Sequence, residues 1–186
     1  MRTHDKNTKK IIHNVLSRSV SQSDLVVSQH SPLHDVVITW VSLSCVIHCT
    51  WELGWLVLHK SIRQNADNPL YYAWTAYIDG GDARYATDPI STLVYCLECF
   101  SVVNGFVGLL ALYLRKNNDR NSLVFFVAFS TSHLASCAIY FLSEIIEGCP
   151  NVNLDSWFDT WVKFFLVNSP WLVFPWFVLR WVVNEL

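Results

Sequence analysis

The chain has 186 residues, a formal net charge of −2, and 52% hydrophobic residues, with nine tryptophans among its aromatics. That length makes one domain, and the near-neutral charge offers no electrostatic footprint for nucleic acid, so no nucleic-acid partner is expected. The apolar residues lie in long runs, which points to an all-α, polytopic membrane four-helix bundle.

Taken in chain order, residues 1–33 form a polar tail carrying Arg2, Lys6, Lys9, Lys10 and Arg18. They hold no apolar core of a leader, so no cleavable signal peptide is expected in them. Thr8–Val20, with Ile11, Ile12, Val15 and Leu16 on one side, reads either as a short basic amphipathic helix or as disordered tail. Residues 34–186 read as the membrane domain. Four segments, Val36–Leu58, Ile90–Leu114, Ser122–Leu142 and Phe164–Val183, reach the roughly 20 apolar residues that a bilayer core requires.

The connection His59–Pro89 holds Tyr71, Tyr72, Trp74, Tyr77 and Tyr85. Loops of this length are usually functional or disordered, and so many aromatics argue for order. Leu70–Tyr77 reads as a short interfacial helix over the mouth of the bundle. A Gly80-Gly81 break follows, and Asp88-Pro89 reads as N-cap and first residue of the second span. Gly148–Asp155 reads as a short polar turn. Arg115, Lys116 and Arg120 sit between the second and third spans, while Asp67, Asp79, Asp82, Asp88, Glu147, Asp155 and Asp159 sit in the other connections. The positive-inside rule therefore places both termini in the cytosol.

The polar residues inside the spans carry the functional signal. Glu52, Glu98 and Glu144 each fall in a span, and a buried carboxylate costs on the order of 3 kcal/mol in a bilayer. Helical spacing aligns Cys45, His48, Glu52, Trp55 and His59 on one face of the first span. It aligns Ser91, Tyr95, Glu98 and Gly105 on the second, and His133, Cys137, Tyr140 and Glu144 on the third. Asn168 and Trp171 lie one turn apart on the fourth, beside Pro170 and Pro175. Four such stripes can converge on one ionisable chamber. Against this stand plainer readings: a structural polar pair for His48 and Glu52, a satisfied core histidine for His133, a helix-end carboxylate for Glu144, and a loop-pinning ion pair for Asp82 and Arg84. Trp40, Trp157, Trp161, Trp176 and Trp181 read as an interfacial belt, and Trp51, Trp55 and Trp171 as deeper residues able to face a cation. Cys96-Leu97-Glu98-Cys99 matches a redox spacing but lies mid-helix, so packing explains it better. No metal ligand set is read: di-metal bundles need two Glu-x-x-His pairs, and the chain has His48-x-x-x-Glu52 once.

Together these segments resemble the emopamil-binding protein (EXPERA) family. Ile47-His48-Cys49-Thr50-Trp51-Glu52 with Trp55 resembles its first motif. Trp74-x-x-Tyr77 with Gly81-Asp82-Ala83-Arg84-Tyr85 resembles its loop motif, Tyr140-Phe141-Leu142-Ser143-Glu144 its third, and Asn168-Ser169-Pro170-Trp171-Leu172-Val173-Phe174-Pro175 its fourth. Asp82-Ala83-Arg84 with Asp88-Pro89, and Pro150–Asn153 before Trp157, resemble the emopamil-binding-protein-like branch more than the sterol isomerase. The isomerase branch moves a ring double bond from the 8 to the 7 position by protonation, a buried carbocation and deprotonation. The resemblance implies a cofactor-free isomerase of the endoplasmic reticulum, with His48, Glu52 and Glu98 as the proton-handling set. It implies Trp55, Asp82, Arg84, Tyr85, Tyr95, His133, Tyr140, Glu144, Asn168 and Trp171 as substrate-contacting residues. Counted without gaps, the family's second-span acid falls on Tyr95, one turn before Glu98, so either position can be its counterpart. The family's Gly-Pro reads Gly105-Phe106 here, and residues 1–33 leave no room for the span that the sterol isomerase carries before its first motif. The expected partners are the membrane, a sterol or terpenoid lipid and amphiphilic amine inhibitors, and a homodimer is allowed. Two rival outcomes stay open: cyclisation or rearrangement of a terpenoid by the same acid–base set, and a sterol- or amine-binding protein without turnover.

Overall fold

The computed structural model describes residues 32–186, so Thr8–Val20 and the basic residues of the tail lie outside the described residues. Every regular element among the described residues is helical. Four helical stretches are long and apolar enough to cross a membrane: Pro32–Gln64, Thr92–Lys116, Ser122–Ile146 and Phe158–Glu185. All but the second, which starts later, outrun the apolar segments read from sequence, because polar residues continue the helix beyond the hydrocarbon at one end or both. Val37–Leu186 form one compact unit.

Two spans are not uniform α-helix. The first winds wider for one turn at His48–Glu52, a π-helical segment between α-helical Pro32–Ile47 and Leu53–Gln64. Such turns recur at functional sites, because they re-aim side chains without breaking the helix. Thr50 Oγ1 donates to the Val46 carbonyl at 2.6 Å beside this turn. The fourth span begins as a second π-helical segment, Phe158–Leu166, and restarts as α-helix at Pro170. Pro170 cannot donate to the Leu166 carbonyl, and Ser169 Oγ does so instead at 3.0 Å. Asn168 Nδ2 likewise donates to the Phe164 carbonyl at 2.7 Å. Carbonyls freed near a proline are thus satisfied within the protein, as a membrane interior demands.

Glycines set how closely the second span approaches its neighbours. A Cβ on Gly105 would lie 2.8 Å from His48 Cβ, and one on Gly108 would lie 2.6 Å from Cys45 Sγ and 2.7 Å from the Phe129 ring. Small residues at such crossings let helix backbones pack directly. Gly105→Ala should therefore destabilise by about 1–3 kcal/mol through overpacking. In an open helix the same change would stabilise by up to about 1 kcal/mol. Thermal unfolding in detergent gives the sign.

The aromatic connection is ordered, with a 3₁₀ turn at Pro69–Tyr71 and an α-helix at Tyr72–Ile78. Trp74 stacks on Trp51 with ring centroids 4.9 Å apart. Gly80 has φ of +79°, and a Cβ there would meet the Asp159 carboxylate at 2.5 Å. Backbone bonds then fasten the loop to the connection between the third and fourth spans: Asn153 N–H to the Gly80 carbonyl at 3.0 Å and Ala83 N–H to the Asn151 carbonyl at 2.9 Å. Lys163 Nζ donates to the Asp79 carbonyl from the fourth span.

Two expectations are corrected here. The second span starts at Thr92, and Asp88-Pro89 is a cis peptide ahead of it. Asp88 does not cap the helix because Arg63 Nη2 takes its carboxylate at 2.6 Å, and Thr87 Oγ1 accepts the Ser91 N–H at 2.9 Å. Arg63 holds the exposed Asp88 carboxyl below its usual range, by its hydrogen bond first and its charge second. The tryptophan belt is also smaller than read. Trp157, Trp161 and Trp176 are exposed, but Trp40 and Trp181 are buried. Trp40 stacks on Phe174 at 4.5 Å, and Trp181 meets the Phe126 ring edge-on at 5.1 Å, so both serve the core.

Candidate active site

A cavity of about 410 Å³ lies inside the bundle. That volume falls within the roughly 300–1,000 Å³ of small-molecule sites. Its walls come from all four spans and the loop. The first contributes Ile47, His48, Trp51 and Glu52; the second Leu97, Glu98 and Ser101; the third His133, Cys137 and Tyr140; the fourth Val167, Asn168 and Trp171; the loop Tyr77 and Tyr85. The lining is largely aromatic and aliphatic, with a few converging polar groups.

Two carboxyls define its chemistry. Glu52 and Glu98 are both buried, and in each one oxygen, Oε2, has no hydrogen-bond partner in the protein. Glu98 Oε1 accepts from the Tyr85 hydroxyl. Glu52 Oε1 lies 3.1 Å from His48 Nδ1. That contact is close enough for charge but is not aligned as a hydrogen bond, since His48 Nδ1 counts among the buried atoms without a partner. On its other side His48 Nε2 meets His133 Nε2 at 2.6 Å. Trp171 sits beside this group, its ring 6.3 Å from that of His48.

Behind the cavity wall stands a second polar group. Asp82 Oδ1 accepts from the Arg84 N–H and Nε at 3.0 and 2.9 Å, and Oδ2 accepts from Arg84 Nη2 at 2.7 Å and the Tyr140 hydroxyl at 2.6 Å. Arg84 Nη1 reaches Ser143 Oγ at 3.0 Å and Glu144 Oε2 at 3.3 Å. Glu144 also accepts from Asn151 N–H and Nδ2 at 2.7 and 3.1 Å. Burial opposes the Arg84 charge, but the Asp82 bonds and charge outweigh it and raise the guanidinium above its ordinary value. Tyr140 must donate to the acceptor-only carboxylate of Asp82. Tyr77 therefore donates to Tyr140 at 2.8 Å, and Asn168 Nδ2 donates to Tyr77 at 3.1 Å. The donors of this chain thus run from Asn168 through Tyr77 and Tyr140 to Asp82. Burial first, then the Asp82 charge, pushes the Tyr77 phenol well above its usual value; burial and then Glu98 do the same for Tyr85. Both stay protonated as donors.

Of the residues expected to handle protons, His48, Glu52 and Glu98 all line the cavity. Among those expected to touch substrate, Tyr85, His133, Tyr140, Asn168 and Trp171 line it, whereas Trp55, Asp82, Arg84, Tyr95 and Glu144 do not. Trp55 is buried behind Tyr85, its ring centroid 5.1 Å away. Asp82, Arg84 and Glu144 are consumed by one another and by Tyr140. Tyr95 is 43% exposed and sits in a separate outer depression with His59 and Arg63. The buried face of the second span runs through Val94, Glu98, Val102 and Gly105, so helix rotation puts Glu98, not Tyr95, towards the chamber. Sequence reasoning missed Tyr77 and Trp51 as cavity walls, although the loop motif and the deep tryptophans both named them.

Comparison with known proteins shows the family. The EBP family profile, described as EXPERA (EXPanded EBP superfamily), matches residues 69–181. The chain is 28% identical over 141 residues to a 3-beta-hydroxysteroid-Delta(8),Delta(7)-isomerase of Cavia porcellus, covering 74% of this chain and 59% of that protein. It is 32% identical over 142 residues to the isomeliandiol synthase MOI2 of Melia azedarach, covering 75% and 64%. It is 30% identical over 118 residues to the protoglabretal synthase MOI1 of Citrus sinensis, covering 63% and 55%. The match thus spans about three-fifths of the length of these relatives. With the profile covering more than half of the chain, the protein is a member of the EXPERA family.

Proposed function

We propose that the protein is a membrane-embedded isomerase that shifts a double bond in a sterol or terpenoid by proton transfer. The observation that carries this reading is the pair of buried carboxyls, Glu52 and Glu98, which line the same cavity and each keep one oxygen without a hydrogen-bond partner in the protein. One protonates the alkene and the other removes the neighbouring proton, with Glu52 backed by imidazole and Glu98 by a phenol. The cation formed between these events lies near carboxylate charge, the hydroxyls of Tyr77 and Tyr140, and the Trp171 indole, all of which line the cavity. A desolvated cation over an indole gains about 2 kcal/mol. The reaction is redox-neutral and calls for no cofactor. Residence in the endoplasmic reticulum with cytosolic termini fits the basic residues Arg115, Lys116 and Arg120 between the second and third spans.

The test is turnover in heavy water. An isomerase of this type leaves one non-exchangeable deuterium per product, because the proton gained at one carbon is not the proton lost from the next. A sterol with an 8(9) double bond and tetracyclic terpenoids are the first substrates to supply. Hydrophobic tertiary amines should compete with turnover, since a site that favours a cation binds its stable mimic. Amine binding with no deuterium uptake across the panel would make the protein a binder. The relatives that carry synthase names favour a second outcome, in which the same acid–base set closes or rearranges a terpenoid ring, and product analysis of the same incubations separates it from simple transposition.

A further inference from the structure

We propose that His133 is a positioning residue that acts through His48, the two imidazoles sharing one proton so that His48 is held in one tautomer beside Glu52. This rests on the isomerase reading. Two ring nitrogens 2.6 Å apart leave no room for two protons, and two facing lone pairs would repel, so one proton lies between His48 Nε2 and His133 Nε2. The pair is buried, and His133 is held by the Phe129 ring at 4.3 Å, edge to face. His133 Nδ1 has no partner in the protein. A histidine that served packing alone would gain nothing from an imidazole contact across 85 residues of sequence.

The tautomers follow. When His48 donates from Nε2, its Nδ1 is a bare lone pair 3.1 Å from Glu52 Oε1, and a small rotation of the carboxyl lets it accept a hydrogen bond once Glu52 is protonated. Suppose Glu52 removes the substrate proton, the C–H electron pair becoming the new double bond. The proton gained stays on the Glu52 carboxyl, and the His48 Nδ1 lone pair, kept bare by the Nε2 contact with His133, accepts a hydrogen bond from that carboxylic acid. Water that enters as product leaves takes the proton from Glu52 and returns one to the acid that protonated the alkene. The titratable groups sharing the cavity are Glu52 on the first span, Glu98 on the second, Cys137 and Tyr140 on the third, and Tyr77 and Tyr85 on the loop. From the fourth span only Asn168, Trp171 and Val167 face it, and none of these titrates.

The experiment uses the full chain in detergent with ¹⁵N-labelled histidine, and the sterol with an 8(9) double bond in heavy water. His133→Phe should lower kcat by about 10-fold or more. It should leave KM within a factor of about three, displace the limb of the pH profile set by the acid–base pair, and remove the strongly deshielded shared-proton signal. His133→Gln, whose amide can still donate to or accept from His48 Nε2, should recover most of kcat. If His133→Phe turns over with the parent's kcat and pH profile, the inference is overturned and His133 only packs. Should the parent itself place no deuterium in any lipid, the isomerase reading falls. The ¹⁵N spectrum then judges the pair alone: two imidazoles titrating independently overturn it, and a His48 tautomer that changes on loss of His133 supports it.

Discussion

Glu52→Gln should fold, bind a hydrophobic amine less tightly, and lose turnover by about 10²–10⁴-fold, the usual contribution of a positioned acid or base. The substitution keeps the volume of a side chain that is almost fully buried. It keeps an oxygen near His48 Nδ1, now 3.1 Å from a carboxylate oxygen. What it removes is the capacity to carry a proton and the charge opposite a cation. A loss in kcat with an unchanged melting temperature assigns the effect to chemistry. Purified Glu52→Gln with turnover within a factor of two of the parent would show that the proton travels elsewhere. Glu98→Gln should also fail, but its Oε1 bond to Tyr85 survives in the amide, so its fold is preserved as well. Neither variant should leave deuterium in recovered substrate with an 8(9) double bond, because its alkene carbons carry no hydrogen and a proton added at one of them is lost again on return.

Much of this architecture is legible in the sequence, because a membrane simplifies the reading. Backbone groups must be satisfied within each segment, so a long apolar run becomes a helix with few alternatives. The same economy makes Glu52, Glu98 and His48 stand out, since ionisable groups in apolar helices are rare without a use. Rotation of the second span is harder. Tyr95 and Glu98 are one turn apart, and only the line of Val102, Gly105 and Gly108 facing the other helices decides that Glu98 points inward. That line was open to reading, because the glycines mark the side of closest approach.

Other features are illegible for a physical reason. Nothing in His133 announces His48, because the two meet through the crossing angle of two helices. Nor does an apolar periodicity reveal that the first span widens at His48–Glu52, where the Thr50 hydroxyl bonds the Val46 carbonyl, since periodicity carries no record of which carbonyl each N–H meets. The cluster Asp82-Ala83-Arg84 is the clearest case. Sequence shows a loop acid and base near motif aromatics, which suits ligand contact and structural pairing equally. Only the third span and the turn after it, bringing Tyr140, Ser143, Glu144 and Asn151, use up those charges and move them from substrate contact to the support of Tyr140.

That support makes Arg84 the residue whose loss should cost the most stability. Arg84→Ala leaves Asp82 and Glu144 buried, their side chains fully inaccessible, with the guanidinium between them gone. Breaking a buried pair by removing one partner typically costs about 3–5 kcal/mol, because the remaining charge is uncompensated. Two carboxylates depend on this one cation, so the upper part of that range is expected. The effect should appear as a large fall in the unfolding midpoint in detergent and as earlier proteolysis in the segment from Gly80 to Thr87. Arg84→Lys should not restore it. The fork of Arg84 donates to both Asp82 oxygens while Nη1 serves Ser143 and Glu144, and an ammonium cannot reproduce that geometry. Turnover should fall together with stability in Arg84→Ala, because Tyr140 loses a fixed acceptor and the hydroxyl chain to Tyr77 and Asn168 loses its direction. An Arg84→Ala protein that unfolds within about 1 kcal/mol of the parent would mean that the cluster is solvated as a surface pair would be, and that the loop is held by its backbone bonds to Asn151 and Asn153 alone.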